Sequence, residues 1–297
     1  MKNQYVGDVG DYGKYSLLRA FSEAGIRVGI NWYLTENDKT NDGRHVTYLG
    51  QKDMRKLDPI VYDVMKQMVD TDSRSVSEVQ KSGLIKDAIY YDELLKSEGN
   101  PPMKEHRRIT WFLKSIDTLK DAELIYMDPD NGLLENNNFL AKGADKYVLP
   151  DEVKRYYYEG HNVVYYCHKG RRTYTQWDDY KTTMFDRLPD VKPVILTFHK
   201  GTQRSYIFLI HEKDYAGYRK IINEFLRNWH SCFSEEDIGL KAAPFKTSKN
   251  RLTFTKSDGT VITIEGRDDG QIQMTSSSCP GEEIVQPADL FCKLLGF

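Results

Sequence analysis

Two carboxylates, Asp128 and Asp130, follow the apolar run Leu124-Ile125-Tyr126-Met127 and share a turn with Pro129, Asn131 and Gly132. A strand of that kind delivers polar groups to the carboxyl edge of a parallel sheet, where the ligand crevice of open α/β folds lies. Acids placed there can bind a hard cation, accept hydrogen bonds from an amine, or hold a proton. With Glu135, they read as a magnesium site completed by phosphate oxygens, which would make a metal-dependent nuclease or phosphodiesterase. A second cluster is Gly7-Asp8-Val9-Gly10-Asp11-Tyr12-Gly13-Lys14, ahead of a helix. Asp11 alone would cap that helix, leaving Gly7, Asp8 and Lys14 for a ligand, with backbone amides able to grip a carboxylate or phosphate. Two loops are basic: His168-Lys169-Gly170-Arg171-Arg172, and His199-Lys200 with Arg204. If both leave the sheet beside the acidic turn, His168, Lys169, Arg171 and Lys200 would hold a substrate phosphate. Arg107-Arg108 and Arg55-Lys56 read as exposed helix faces.

These groups need a scaffold, and hydrophobic periodicity supplies one. Helices are expected at 12–24, 58–82, 109–119, 150–158, 174–188 and 215–229, with Gly25 as a stop and Pro150 in a first turn. Strands are expected at 26–34, 88–91 (closed by Asp92 and Glu93), 124–127 and 162–167. Residues 194–198 and 205–211, separated by a short turn, pair as an antiparallel hairpin. Alternating strands and helices give a three-layer, Rossmann-like α/β sheet ending in that hairpin. It would fill a domain over 1–232, followed by a linker at 233–250 and a small β appendage at 251–297. The appendage reads as strands at 251–254, 261–264 and 272–274, then a helix near 288–295.

Bulk properties narrow the partners. With 297 residues and a formal charge of −2, the chain has no overall positive field, so nucleic acid would have to meet a local patch. The 20 tyrosines are mostly packing residues, although an exposed one can stack on a base. Cys167, Cys232, Cys279 and Cys292 form no CxxC pair, so reduced buried thiols are expected rather than zinc or a disulfide framework. No apolar leader and no run approaching the ~18 apolar residues of a membrane span is present, so a soluble cytoplasmic protein is expected.

Gly7-Asp8, Asp11, Lys14, Tyr15 and Leu17 resemble the opening Gly-Asn-x-x-Asp-Val-Leu-Lys-His segment of bacterial methyltransferases that modify an adenine amino group in large-subunit ribosomal RNA. Lys2-Asn3-Gln4-Tyr5-Val6-Gly7-Asp8, Lys14-Tyr15 and Asp128-Pro129-Asp130-Asn131-Gly132 also look like a widespread bacterial family of uncharacterised proteins. The resemblance spans roughly residues 1–230. It implies a class I methyltransferase-type sheet, for which the closing hairpin is the usual ending, and S-adenosylmethionine as cofactor. Gly7, Asp8, Asp11 and Lys14 would frame the cofactor pocket, with Asp92 on a ribose. In that family an Asp/Asn-Pro-Pro-aromatic turn binds the amine hydrogens through the acid and a proline carbonyl, and the aromatic stacks on the base. Asp128 and Pro129 match that turn. Asp130 stands for the second proline and Asn131 for the aromatic, so Tyr126 or a loop tyrosine would have to supply the stacking face. The turn after the first strand offers only Gly43. These departures keep a third class open: a binding protein that has lost chemistry, in phage defence or its inhibition.

Overall fold

The computed structural model describes residues 1–38, 43–96, 98–188 and 190–236, together with the backbone of four strands between 251 and 287. The chain divides into two compact units, Met1–Asp237 and Ile238–Phe297.

The first unit holds helices α1 (Val9–Glu23), α2 (Lys52–Leu57), α3 (Pro59–Asp70), α4 (Val76–Lys81), α5 (Pro101–Leu119), α6 (Pro150–Tyr158), α7 (Tyr174–Lys181) and α8 (Glu212–Trp229). Its strands are β1 (Val28–Asn31), β2 (Ile89–Tyr91), β3 (Leu124–Met127), β4 (Gly132–Leu133), β5 (Tyr147–Val148), β6 (Asn162–His168), β7 (Val191–Phe198), β8 (Arg204–His211) and β9 (Phe233–Glu235). Seven of them form one mostly parallel sheet in the order β2-β1-β3-β6-β8-β7-β9, a Rossmann-like α/β arrangement. β1, β2, β3 and β6 run parallel, β8 lies antiparallel between β6 and β7, and β9 closes the edge antiparallel to β7. The order reverses between β1 and β3, which makes their carboxyl ends the topological switch point.

Side chains alternate across each strand. Val28 and Ile30, Leu124 and Tyr126, Val164 and Tyr166, and Tyr206 and Phe208 all join the core beneath α1, α3 and α8. Phe21 of α1 stacks on Phe208 and touches Tyr218 of α8, with ring centroids 5.4 and 5.3 Å apart. On the opposite face α5 and α6 meet through Phe112 and Tyr156, 5.2 Å apart. Gly29 faces this side, where the turn after α5 comes too close for a side chain: a Cβ would lie 2.7 Å from that of Ala122.

Several expectations needed revision. The expected helix over 58–82 is two helices, because Asp72 adopts a positive φ of 52° and Ser75 caps a new start by accepting from Glu78 N. α5 begins at Pro101, well before 109, since Asn100 caps it and proline suits a first turn. α7 ends at Lys181, and residues 185–187 form a separate 3-10 turn. The strand expected over 26–34 is only Val28–Asn31, since Asn31 Oδ1 accepts from Tyr33 N and turns the chain. Arg108 is buried rather than exposed, holding Glu152 at 2.8 Å and the carbonyls of Ala144 and Tyr147. Residues 233–235, expected in a linker, are the edge strand β9.

The second unit contains β10 (Arg251–Thr255), β11 (Val261–Gly266), β12 (Gln271–Ser276) and β13 (Cys279–Pro287), an antiparallel meander in sequence order. It has one strand more than expected, and the helix expected at 288–295 lies outside the described residues. Among the described residues no helix is long and apolar enough to cross a membrane.

Candidate functional site

The alternation that builds the core also builds the site. Continuing β3 past Tyr126 brings Asp128 onto the α1 face, and continuing β6 past Tyr166 brings His168 there; Arg204, opposite His168 in register, opens β8 on the same face. α1 crosses this edge with its first turns, supplying Asp11 and Lys14. The result is a cleft of about 310 Å³ whose lining includes Asp8, Asp11, Lys14, Asp128, Pro129, Asp130, Asn131, Tyr166, His168 and Arg204.

Lys14 lies at its centre. Its Nζ is 2.7 Å from Asp11 Oδ1 and 2.8 Å from Asp128 Oδ2, and it is buried against the rings of Tyr15 and Trp32. Tyr15 Oη donates to Asp11 Oδ2 at 3.1 Å and Tyr126 Oη to Asp128 Oδ1 at 3.0 Å, so both carboxylates are held from two sides. Burial works against the Lys14 charge, but Asp11 and Asp128 outweigh it and hold its pKa above the usual lysine value. Asp11 moves up as well: burial is the main cause, with the Asp128 charge adding to it and Lys14 opposing.

Asp130 is neutralised differently. The Met1 amine approaches its Oδ1 at 2.8 Å while donating to the carbonyls of Tyr33 (3.0 Å) and Asp128 (2.9 Å), and Lys2 Nζ reaches Oδ2 at 3.3 Å. These cations overcome burial and depress the Asp130 pKa. They also occupy the switch point between β1 and β3. Tyr33 presents its carbonyl there from a left-handed backbone conformation, φ 43°, which is strained for an aromatic residue.

Other expected residues have other tasks. Asp8, rather than Asp11, is the N-cap of α1, accepting from Gly10 N at 2.9 Å and His45 N at 3.1 Å, so the amides expected to grip a ligand are already used. Gly7 does not line the cleft; it turns the chain at φ 87°, where a Cβ would meet Val69 Cγ2 at 2.8 Å. Asp92, at the exposed end of edge strand β2, accepts from Gln80 Nε2 at 3.1 Å and lies outside the cleft. Lys169 turns to the carbonyl of Arg172 and the ring of Tyr174. Arg171 and Glu135 line a separate open depression with Arg172, whose guanidinium lies 3.8 Å from the centre of the Tyr180 ring. Lys200 is exposed on the hairpin turn. Of the four residues expected to hold phosphate, His168 alone reaches the cleft.

The magnesium set does not assemble. Asp128 and Asp130 are paired with cations of the chain, Glu135 belongs to the other depression, and among the described residues no group of three or more His, Cys, Asp or Glu side chains converges as ligands. Tyr126 cannot stack on a base, being fully buried, and Tyr206 is buried too, but Tyr5 and Tyr166, which also line the cleft, keep some exposure.

Comparison with known proteins adds little to this geometry. No protein-family model matches the chain, and no curated protein does. A crystal structure of protein LPL1258 from Legionella pneumophila str. Philadelphia 1, described by the family model DUF519, is similar at 12% identity and a TM-score of 0.40, covering 78% of this chain and 96% of that one.

The Met1 amine is the contributor that residue typing left out, and only the folded geometry gives it. Arg204, counted in the basic hairpin turn, opens β8 instead, alternating with Tyr206 and Phe208, and reaches the cleft.

Proposed function

We propose that the cleft binds S-adenosylmethionine and that the chain is a methyltransferase-like protein acting on a nucleic-acid amino group. The observation that carries this reading is Lys14 clamped between Asp11 and Asp128, which joins the amino-terminal cluster and the acidic turn into one site. The antiparallel β8 inserted between β6 and β7 supports it, because a reversed hairpin is how the class I methyltransferase sheet ends.

The lining suits the cofactor's chemistry. A zwitterion carrying a sulfonium needs acids and bases within a few ångströms of each other, and Asp11, Lys14, Asp128 and Arg204 offer both signs. A volume of about 310 Å³ lies at the lower end of small-molecule sites. When bound, the cofactor supplies an electrophilic methyl group. Asp11 and Lys14 would hold it, while Asp128 and the Pro129 carbonyl accept the hydrogens of the incoming amine and orient its weakly nucleophilic nitrogen. Lys14 and Tyr126 hold the Asp128 carboxylate in place from two sides.

A second reading, a ligand-binding protein without methyl transfer, such as one used in phage defence or its inhibition, is favoured by one feature. Both Asp128 oxygens and its carbonyl already have partners within the chain.

Calorimetry with S-adenosylmethionine and S-adenosylhomocysteine tests the cofactor, using Lys14→Met and, as a control, Lys169→Met. Micromolar binding lost in the first variant and kept in the second is expected. Absence of binding to the wild type sinks the methyltransferase reading. Binding without label transfer to any DNA or RNA pool selects the second.

A further inference from the structure

Gly10 is occupied space. A Cβ built on it would fall 1.0 Å from Arg204 Nη1 and 2.1 Å from Cζ, so the guanidinium lies where any other residue would place its side chain. Glycine inside a helix costs about 1 kcal/mol relative to alanine, and here it provides a seat.

The seated guanidinium is underused. Its Nε donates to the Thr202 carbonyl at 3.1 Å, but among the described residues no hydrogen-bond acceptor meets its terminal nitrogens. Its ion-pair partner, Asp8 Oδ1, stands 3.6 Å from Nη2 and is already engaged by the Gly10 amide. Lys14, the Met1 amine and Lys2 all have short carboxylate contacts, so among the described residues Arg204 is the cation of the cleft with donors to spare. Beside it His168 lines the same cleft, and the buried Nδ1 of that ring has no hydrogen-bond partner among the described residues. A forked donor beside an imidazole suits an oxyanion, which a guanidinium binds through two parallel hydrogen bonds.

We infer that Arg204, seated on Gly10 and flanked by His168, forms an oxyanion subsite that takes a phosphate group of the ligand. It deepens the reading above, on which the identity of the carrier, a nucleic acid, rests; capture of phosphate itself does not depend on it. Burial, Arg204 and Arg172 depress the His168 pKa, with the charge and the backbone of Asp130 pulling the other way. A bound anion would move it back up.

Inorganic phosphate titrated into the full chain, followed by calorimetry and by the His168 Cε1 proton in NMR, tests this. Saturable binding that raises the His168 pKa is expected. Arg204→Gln should weaken it by about tenfold or more, as loss of a charge-assisted pair does. Gly10→Ala keeps every charge but fills the seat, so it should weaken phosphate binding while leaving thermal stability equal or higher. Phosphate affinity unchanged in both folded variants overturns the subsite, as does the absence of saturable binding to the wild type. Acetate competing as strongly as phosphate would make it a carboxylate seat and overturn the phosphate assignment. Failure of the cofactor titration with phosphate capture intact would remove the methyl-transfer reading and leave the subsite standing.

Discussion

At the scale of single residues, Lys14 is the charge on which the cleft depends. Removing it leaves Asp11 and Asp128 buried face to face, and breaking a buried ion pair from one side costs about 3–5 kcal/mol. Lys14→Met should therefore lower the urea midpoint by a corresponding amount; a loss below about 1 kcal/mol would mean the carboxylates simply take up protons. Asp130 makes a prediction in pH. Its folded pKa is depressed below the ordinary 3.8, so its stabilisation is complete above that value and is lost as pH falls through the lowered one. Asp11 has the opposite sign: its pKa is raised, so its contribution declines as pH climbs above 3.8. Asp130→Asn should flatten the acid limb of a stability–pH curve and leave the limb above it in place. Residue types alone revealed Asp11, Lys14, Asp128 and Asp130 as a chemical group. They could not reveal that Asp128 and Asp130 already have cations, because those contacts join residues far apart in sequence.

At the scale of elements, α1 reaches the hairpin because of its glycines. A Cβ at Gly13 would lie 2.8 Å from Phe198 Cε2, and the ring is buried without room to retreat. Gly13→Ala gains about 1 kcal/mol of helix propensity, yet overpacking of this kind costs about 1–3 kcal/mol, so a net destabilisation should appear in urea melts. Gly10→Ala should not behave this way, because the atom it meets is the free end of an arginine. Strands β3, β6, β7 and β8 were legible because apolar runs and turn residues bound them. Helix α5 was misjudged at its start, where Pro101 and Pro102 hide a first turn that tolerates proline. β9 was missed because three residues bonded to one distant strand leave no periodic trace.

At the scale of the molecule, the boundary of the first unit is chemical as well as geometric. Glu236, just past β9, accepts from Thr197 Oγ1 and pairs with the buried Lys181. A chain ended after residue 237 should unfold like the first unit of the whole protein. One ended after 232, at the boundary expected from sequence, loses β9 and leaves Lys181 with Asp178 alone, 3.1 Å away. That should cost about 2 kcal/mol or more, measured by thermal denaturation of the two truncations. The placement of β8 between β6 and β7 also orders events in time. On a ribosome, β6 is complete while its eventual neighbour is still unsynthesised, and α1, the first helix made, waits for Phe198, Tyr206 and Phe208 before its inner face is covered. The amino-terminal half of the cleft is thus translated first and assembled late, so a nascent chain stalled before residue 204 would expose α1 and the open edge of β6 to chaperones and to its neighbours.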